Sequence, residues 1–176
     1  MITYECKPAA GYTDKIGELV FMLEHVRAVT ISEIEALRVE DLDRIPGQGG
    51  NTIGALLMHM AAIEKVHQLI SFENRDINEA EFEQWGAALE LGELGRKNIQ
   101  GNPIEFYTDL MKETRNQSLC MLKRKSDEWL YERNEWPNGL GYNNYYLWFH
   151  VLEDEINHRG QIRMIQRTLR GVDYEI

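Results

Sequence analysis

Cysteine is scarce in this chain: among 176 residues there are two, Cys6 and Cys120, far apart and outside any C-x-x-C pattern. The N-terminal stretch MITYECKPAAGY has neither a basic n-region nor an apolar h-region, so a cytoplasmic setting is expected. No apolar run approaches the roughly 18 residues of a membrane span, which predicts a soluble protein. Positive charge is also short. The 19 Lys and Arg face 29 Asp and Glu, for a formal charge of -10. Such a surface repels phosphate backbones and anionic lipid, so neither nucleic acid nor a membrane is an expected partner. Internal repeats and low-complexity tracts are absent too. What the chain does have is length: residues 1–176 are expected to form one domain that buries a core without disulfides or a structural metal.

Glycine and proline cluster at 46–50 (PGQGG), 86–103 and 137–141 (PNGLG), cutting the chain into four long segments. The first, 13–37, carries Ile16, Leu19, Val20, Leu23 and Val26 at the i, i+3, i+4 spacing of an amphipathic helix, with Thr13 and Asp14 as its cap. The second, 51–72, opens at Asn51 and aligns Ile53, Leu56, Met60, Ile63, Val66 and Ile70. The third starts at Asn102-Pro103 and runs to Lys125 through Phe106, Leu110 and Met121. The fourth spans 143–170. The link between the second and third, 73–101, is about 30 residues, too long for a simple antiparallel turn. The expected fold is therefore all-α, a four-helix bundle with one long crossover between helices two and three, of the kind that builds ligand and metal sites in its core. Residues 127–142 are too broken for a helix and are expected across one end.

The fourth segment holds an anomaly, HVLEDEINHRGQI at 150–162. At about 100° per residue, with His150 at zero, its apolar arc centres near 100–110°, and Asp154, His158 and Glu155 all fall inside it. Burying an unpaired carboxylate costs roughly several kcal/mol, so a cation, a metal or a hydrogen-bond network is expected opposite. Asp154 and His158 stand at i and i+4, a spacing that lets two side chains converge on one ion. A third ligand from a facing helix would leave an open position, the arrangement of catalytic rather than structural sites. On the second helix both His59 and His67 lie in the apolar arc, about 12 Å apart along the axis, and His59 is the choice. The competing reading pairs Asp154 and Glu155 with Arg159, Arg163 or a neighbouring helix and leaves His158 as a satisfied core histidine. His25 falls on the polar side of the first helix, and His150 at the edge of the arc. Arg159 and Gln161 are candidates to orient ligands, and Gly160 for close approach of another helix. Trp136, Tyr142, Tyr145, Tyr146 and Trp148 either wall a pocket or staple the bundle end.

Two stretches, NTIGALLMHMAAIE (51–64) and NNYYLWFHVLEDEINHRGQIRMIQ (143–166), resemble the signature helices of the DinB/YfiT-like superfamily of metal-dependent enzymes. That resemblance implies the same bundle, a homodimer, and a metal held by a histidine on the second helix and an H-x-x-x-H pair on the last. His59 and His158, in HRGQ, match; Asp154 stands where the family has histidine. A two-His-one-carboxylate set suits one divalent transition metal, zinc or nickel first, with manganese or iron as alternatives toward which the carboxylate moves the preference. The implied chemistry is activation of a water or a low-molecular-weight thiol for hydrolysis or S-transfer to a small substrate, since relatives include S-transferases using bacillithiol or mycothiol. Glu155 and Glu64 are the expected base, and Glu155 the alternative carboxylate ligand. A different class is a non-catalytic bundle acting as a stress-related interaction protein. A further rival is a di-iron carboxylate site, because Glu64-x-x-His67 and Glu155-x-x-His158 are both E-x-x-H; the remaining two carboxylates it needs would be Glu24 and Glu113, which fall about 80° and 90° from the apolar centres of their helices and so do not point inward.

Overall fold

In the computed structural model, which describes residues 2–47, 49–169 and 171, the first helix, α1 (Asp14–Ile34), is capped from far along the chain. Thr13 makes no side-chain cap; instead Oδ1 of Asp127 accepts from the backbone N–H groups of Lys15 at 3.1 Å and Ile16 at 3.2 Å. The expected stripe Ile16, Leu19, Val20, Leu23 and Val26 is buried. A short helix α2 (Val39–Leu42) leads to α3 (Ile53–Glu73), whose N-cap is Thr52, accepting from the Ala55 N–H at 3.2 Å.

The crossover is not bare chain. It folds as α4 (Glu79–Glu90) and α5 (Gly92–Asn98), with α4 started by a capping box between Asn78 and Glu81. Trp85 and Ala88 of α4, with Ile99 just after α5, lie on the apolar cluster around Leu56, Met60 and Ala61. This is why α3 is buried nearly all round rather than on one face: Leu57, Ala62, Glu64 and Gln68 are buried beside the expected Ile53, Leu56 and Met60, while Ile63, Val66 and Ile70 are only half-buried.

Helix α6 (Ile104–Leu122) corrects the face expected for it. Its buried residues are Tyr107, Met111, Thr114, Arg115, Ser118 and Leu122, and Phe106 is 42% exposed. Three polar side chains on the inner face disguised the true periodicity. Residues 127–142 do lie over one end, as a 3-10 turn (Asp127–Tyr131) and an antiparallel hairpin of β1 (Arg133–Glu135) with β2 (Gly141–Asn143), registered Arg133 to Asn143. Trp129 and Trp148 sandwich Phe72 there, at 5.4 and 5.3 Å between ring centroids. Helix α7 (Asn144–Leu169) then runs the length of the bundle; Arg170, where the sequence reading ended this helix, lies outside the described residues. In the bundle α3 packs on α6 and α7, and α1 on α7 and α6, which makes the fold all-α apart from the hairpin.

Candidate metal centre

Helices α3 and α7 run antiparallel, so a residue ascending one meets a residue descending the other, and this register brings His59 against His158. Nε2 of His59 lies 3.5 Å and Nε2 of His158 3.2 Å from the same oxygen, Oδ1 of Asp154. The two imidazoles meet edge to face, centroids 4.7 Å apart. Donor atoms of the three residues all lie within 4.8 Å of one another. Each side chain is 10% exposed, so the group is nearly enclosed by the bundle wall, and Asp154 also lines a surface pocket with His150 and Leu152.

The tautomer of His59 is fixed by its surroundings. Its Nδ1 lies 2.8 Å from the carbonyl oxygen of Ala88 on α4; a carbonyl only accepts, so Nδ1 carries the proton and neutral His59 presents a bare lone pair at Nε2. That lone pair faces a carboxylate oxygen. Two acceptors held this close call for a cation between them, either a proton or a metal. Burial pushes the Asp154 carboxyl up, but where the imidazoles carry protons at Nε2, hydrogen bonds and charge from His158 and His59 more than offset this and hold it well below the usual carboxylate range; a proton or a metal thus keeps the group anionic. Its second oxygen, Oδ2, is buried without a hydrogen-bond partner. Two imidazole nitrogens and a carboxylate whose second oxygen is orphaned fit a divalent transition metal.

Glu64 and Glu155 are elsewhere. They form the centre of a buried charge cluster to which each bundle helix contributes one residue: Arg27 from α1, Glu64 from α3, Arg115 from α6 and Glu155 from α7. Arg27 bonds both carboxylates, to Oε1 of Glu155 and Oε2 of Glu64 at 3.0 Å each. Arg115 donates to both oxygens of Glu64 at 2.7 and 3.0 Å and to Glu155 at 3.4 Å, and Ser118 adds a bond of 2.6 Å to Glu64. Remaining guanidinium donors reach the carbonyls of Met111 and Leu23. Burial alone would raise the Glu64 carboxyl; Arg115 and Arg27 overcome it and take the group down to about 2, where it has little basicity. Glu155 thus finds arginine partners on neighbouring helices, as the metal-free reading of the sequence had it, whereas Asp154 meets only the imidazoles of His59 and His158.

Among the described residues the carboxylates that the di-iron rival needs are not brought together. Both E-x-x-H glutamates are neutralised by arginine, Glu24 is half-exposed on the edge of Arg115 and Glu113 is exposed. Arg27 and Arg115 are what the sequence reading missed. The available signal was an arginine on each buried stripe: Arg27 follows Leu23 and Val26, and Arg115 follows Met111.

Other singled-out residues fall away from the triad. Arg159 donates to the carbonyl of Val26 and Arg163 pairs with Glu33, both toward α1. Gln161 is exposed, and a Cβ at Gly160 would meet nothing within 4 Å, so none of the described helices approaches there. His25 bonds the carbonyl of Thr3. Trp148 is fully buried as a staple, whereas Trp136 stacks on Tyr142 at 3.9 Å in the hairpin and lines a surface cavity with Tyr131, Arg133 and Tyr146.

Among described residues no helix is long and apolar enough to cross a membrane. A conserved protein from Enterococcus faecalis, known from its crystal structure, superposes with a TM-score of 0.67 over 87% of this chain and 95% of its own, at 13% identity. At that identity the likeness speaks for the fold. No curated protein matches the chain. The model of the mycothiol S-transferase family matches residues 18–171, a span that includes all four bundle helices but the first turn of α1, and His59, Asp154 and His158 with them. The chain belongs to the mycothiol S-transferase family, DinB/YfiT-like four-helix bundles.

Proposed function

We propose that this protein holds one divalent transition metal through His59, Asp154 and His158 and uses it to couple a low-molecular-weight thiol, through its sulfur, to a small electrophile. The observation that carries this reading is the convergence of two Nε2 atoms on one oxygen of Asp154. When bound there, a zinc- or nickel-type ion supplies Lewis acidity, lowering the pKa of a thiol or, for hydrolysis, a water. The chain's own contribution is positional. Ala88 locks the His59 tautomer, Asp154 stays anionic, and the surface pocket that Asp154 lines admits the substrate. In the transfer the thiol S–H proton leaves to solvent, a sulfur–carbon bond forms on the electrophile and its leaving group departs. Glu64 and Glu155, carried as the base from sequence, are tied up by arginines, and the reading needs neither. The homodimer and the cytoplasmic setting belong to it through the family resemblance alone.

The test starts from metal-free protein offered zinc, nickel, manganese and iron in turn, then assayed for consumption of mycothiol, bacillithiol, cysteine and glutathione against a reactive electrophile. Metal-dependent consumption that His158→Ala abolishes is the expected result. Protein that refuses all four metals would instead favour the non-catalytic bundle, its polar core serving to fix helix register.

A further inference from the structure

The antiparallel register that sets His59 against His158 repeats two turns along. His67, eight residues after His59, faces His150, eight residues before His158, with ring centroids 5.3 Å apart and planes at 57°. Asp154 stands between the pairs on α7, one turn from each histidine of that helix.

The second pair has the marks of a donor set without its acceptor. His67 is 7% exposed, and its Nδ1 donates to the carbonyl of Ile63 at 2.7 Å, which leaves Nε2 as a lone pair. An imidazole whose Nδ1 proton is engaged this way offers Nε2 in the neutral form that ligates metal. Nδ1 of His150 is buried with no hydrogen-bond partner, and so is Oδ2 of Asp154. Asp154 Oδ1 is taken by the first pair. One species that satisfies several unpaired acceptors at once is a cation.

We propose that His67 and His150, with Oδ2 of Asp154 as a bridging carboxylate, form a second binding site for a divalent transition metal beside the first. The donors, two imidazoles and one carboxylate, are of the type that zinc, nickel, iron and manganese accept, and paired ions spanned by a carboxylate are a recurring device for activating two oxygens or sulfurs at once. Among the described residues the first set is the one whose donor atoms all lie within 4.8 Å of one another. The second closes only when the half-buried His150 turns onto the ion, so it is weaker and fills after the first. It rests on the proposed metal site only through the shared Asp154.

The experiment is equilibrium dialysis of the metal-free full chain against zinc, read by elemental analysis, with cobalt absorption as an independent report of imidazole ligation. The wild type is expected to take a tight ion and then a weaker second one. His150→Ala, at a half-buried position, should weaken the second by at least ~10-fold and leave the first. His158→Ala should do the reverse. His67→Gln, which keeps volume in a buried position, serves as the second variant and should match His150→Ala. Saturation at one ion per chain, sensitive to His158→Ala and indifferent to His150→Ala, would overturn this site while sustaining the first. A second ion that survives both His150→Ala and His67→Gln would also overturn it, since it would be held elsewhere on the acidic surface.

Discussion

Nδ1 of His59 donates to the carbonyl oxygen of Ala88 at 2.8 Å, so a side chain on the second bundle helix takes its tautomer and ring orientation from the crossover. Partners of this kind tune metal ligands, and losing one costs about 10–100-fold in affinity. Ala88 is fully buried against α3, which offers a way to shift the carbonyl without touching the ligands. Ala88→Leu should overpack the contact at a cost of about 1–3 kcal/mol and weaken zinc by at least ~10-fold. Denaturant unfolding reads the first effect and chelator competition the second. Lost stability with unchanged zinc affinity would show that the carbonyl does not orient the ligand.

Asp154 is the second point at which chemistry can be moved. The amide of Asp154→Asn has no charge to offer, and the variant should lose stoichiometric zinc. Asp154→His restores the three-imidazole set usual in this family, and should keep one ion while shifting preference from manganese and iron toward zinc and nickel. Competition between manganese and zinc for the two proteins measures it; an unchanged ratio would mean that Asp154 is not a ligand.

The stripe of α1 and the Asp154–His158 pair were legible because each rests on local spacing, whereas His59, on another helix, was singled out over His67 through the family resemblance. The stripe of α1 reads directly from Ile16, Leu19, Val20, Leu23 and Val26, and Asp154 with His158 reads from i, i+4. What stayed hidden depends on partners distant in sequence. Thr114, Arg115 and Ser118 look like a solvent face on α6 until Glu64 is placed opposite, so the helix was turned the wrong way. Asp127 gives no hint that it caps α1. Nor does the glycine-punctuated crossover announce that α4 and α5 cover α3, which is what buries the outer side of that helix.

The buried cluster gives a prediction that separates structure from catalysis. Arg115→Met removes one of two guanidiniums from Glu64 and Glu155 and strands negative charge at 2% exposure or less. Breaking such a pair from one side costs about 3–5 kcal/mol, which denaturant unfolding of the metal-free protein would show directly. A shift below about 1 kcal/mol would mean that water reaches the carboxylates.

Acid should weaken the fold through the same cluster. In the folded chain the Glu64 carboxyl is taken from 4.5 down to about 2, where the arginines outweigh its burial. A carboxyl depressed on folding contributes stability that is complete well above its unfolded pKa and is lost as pH falls through the window from about 4.5 to about 2, because there the unfolded chain binds a proton that the folded one refuses. The whole contribution is on the order of 3 kcal/mol, at about 1.4 kcal/mol per pH unit. Asp154, also depressed, acts in the same direction, so the wild type should lose stability in acid faster than Glu64→Gln, which has one titrating group fewer. Urea unfolding of both proteins between about pH 6 and pH 3 checks this. The variant starts less stable, and its curve should be the flatter of the two; parallel curves would show that the Glu64 carboxyl is not depressed by folding.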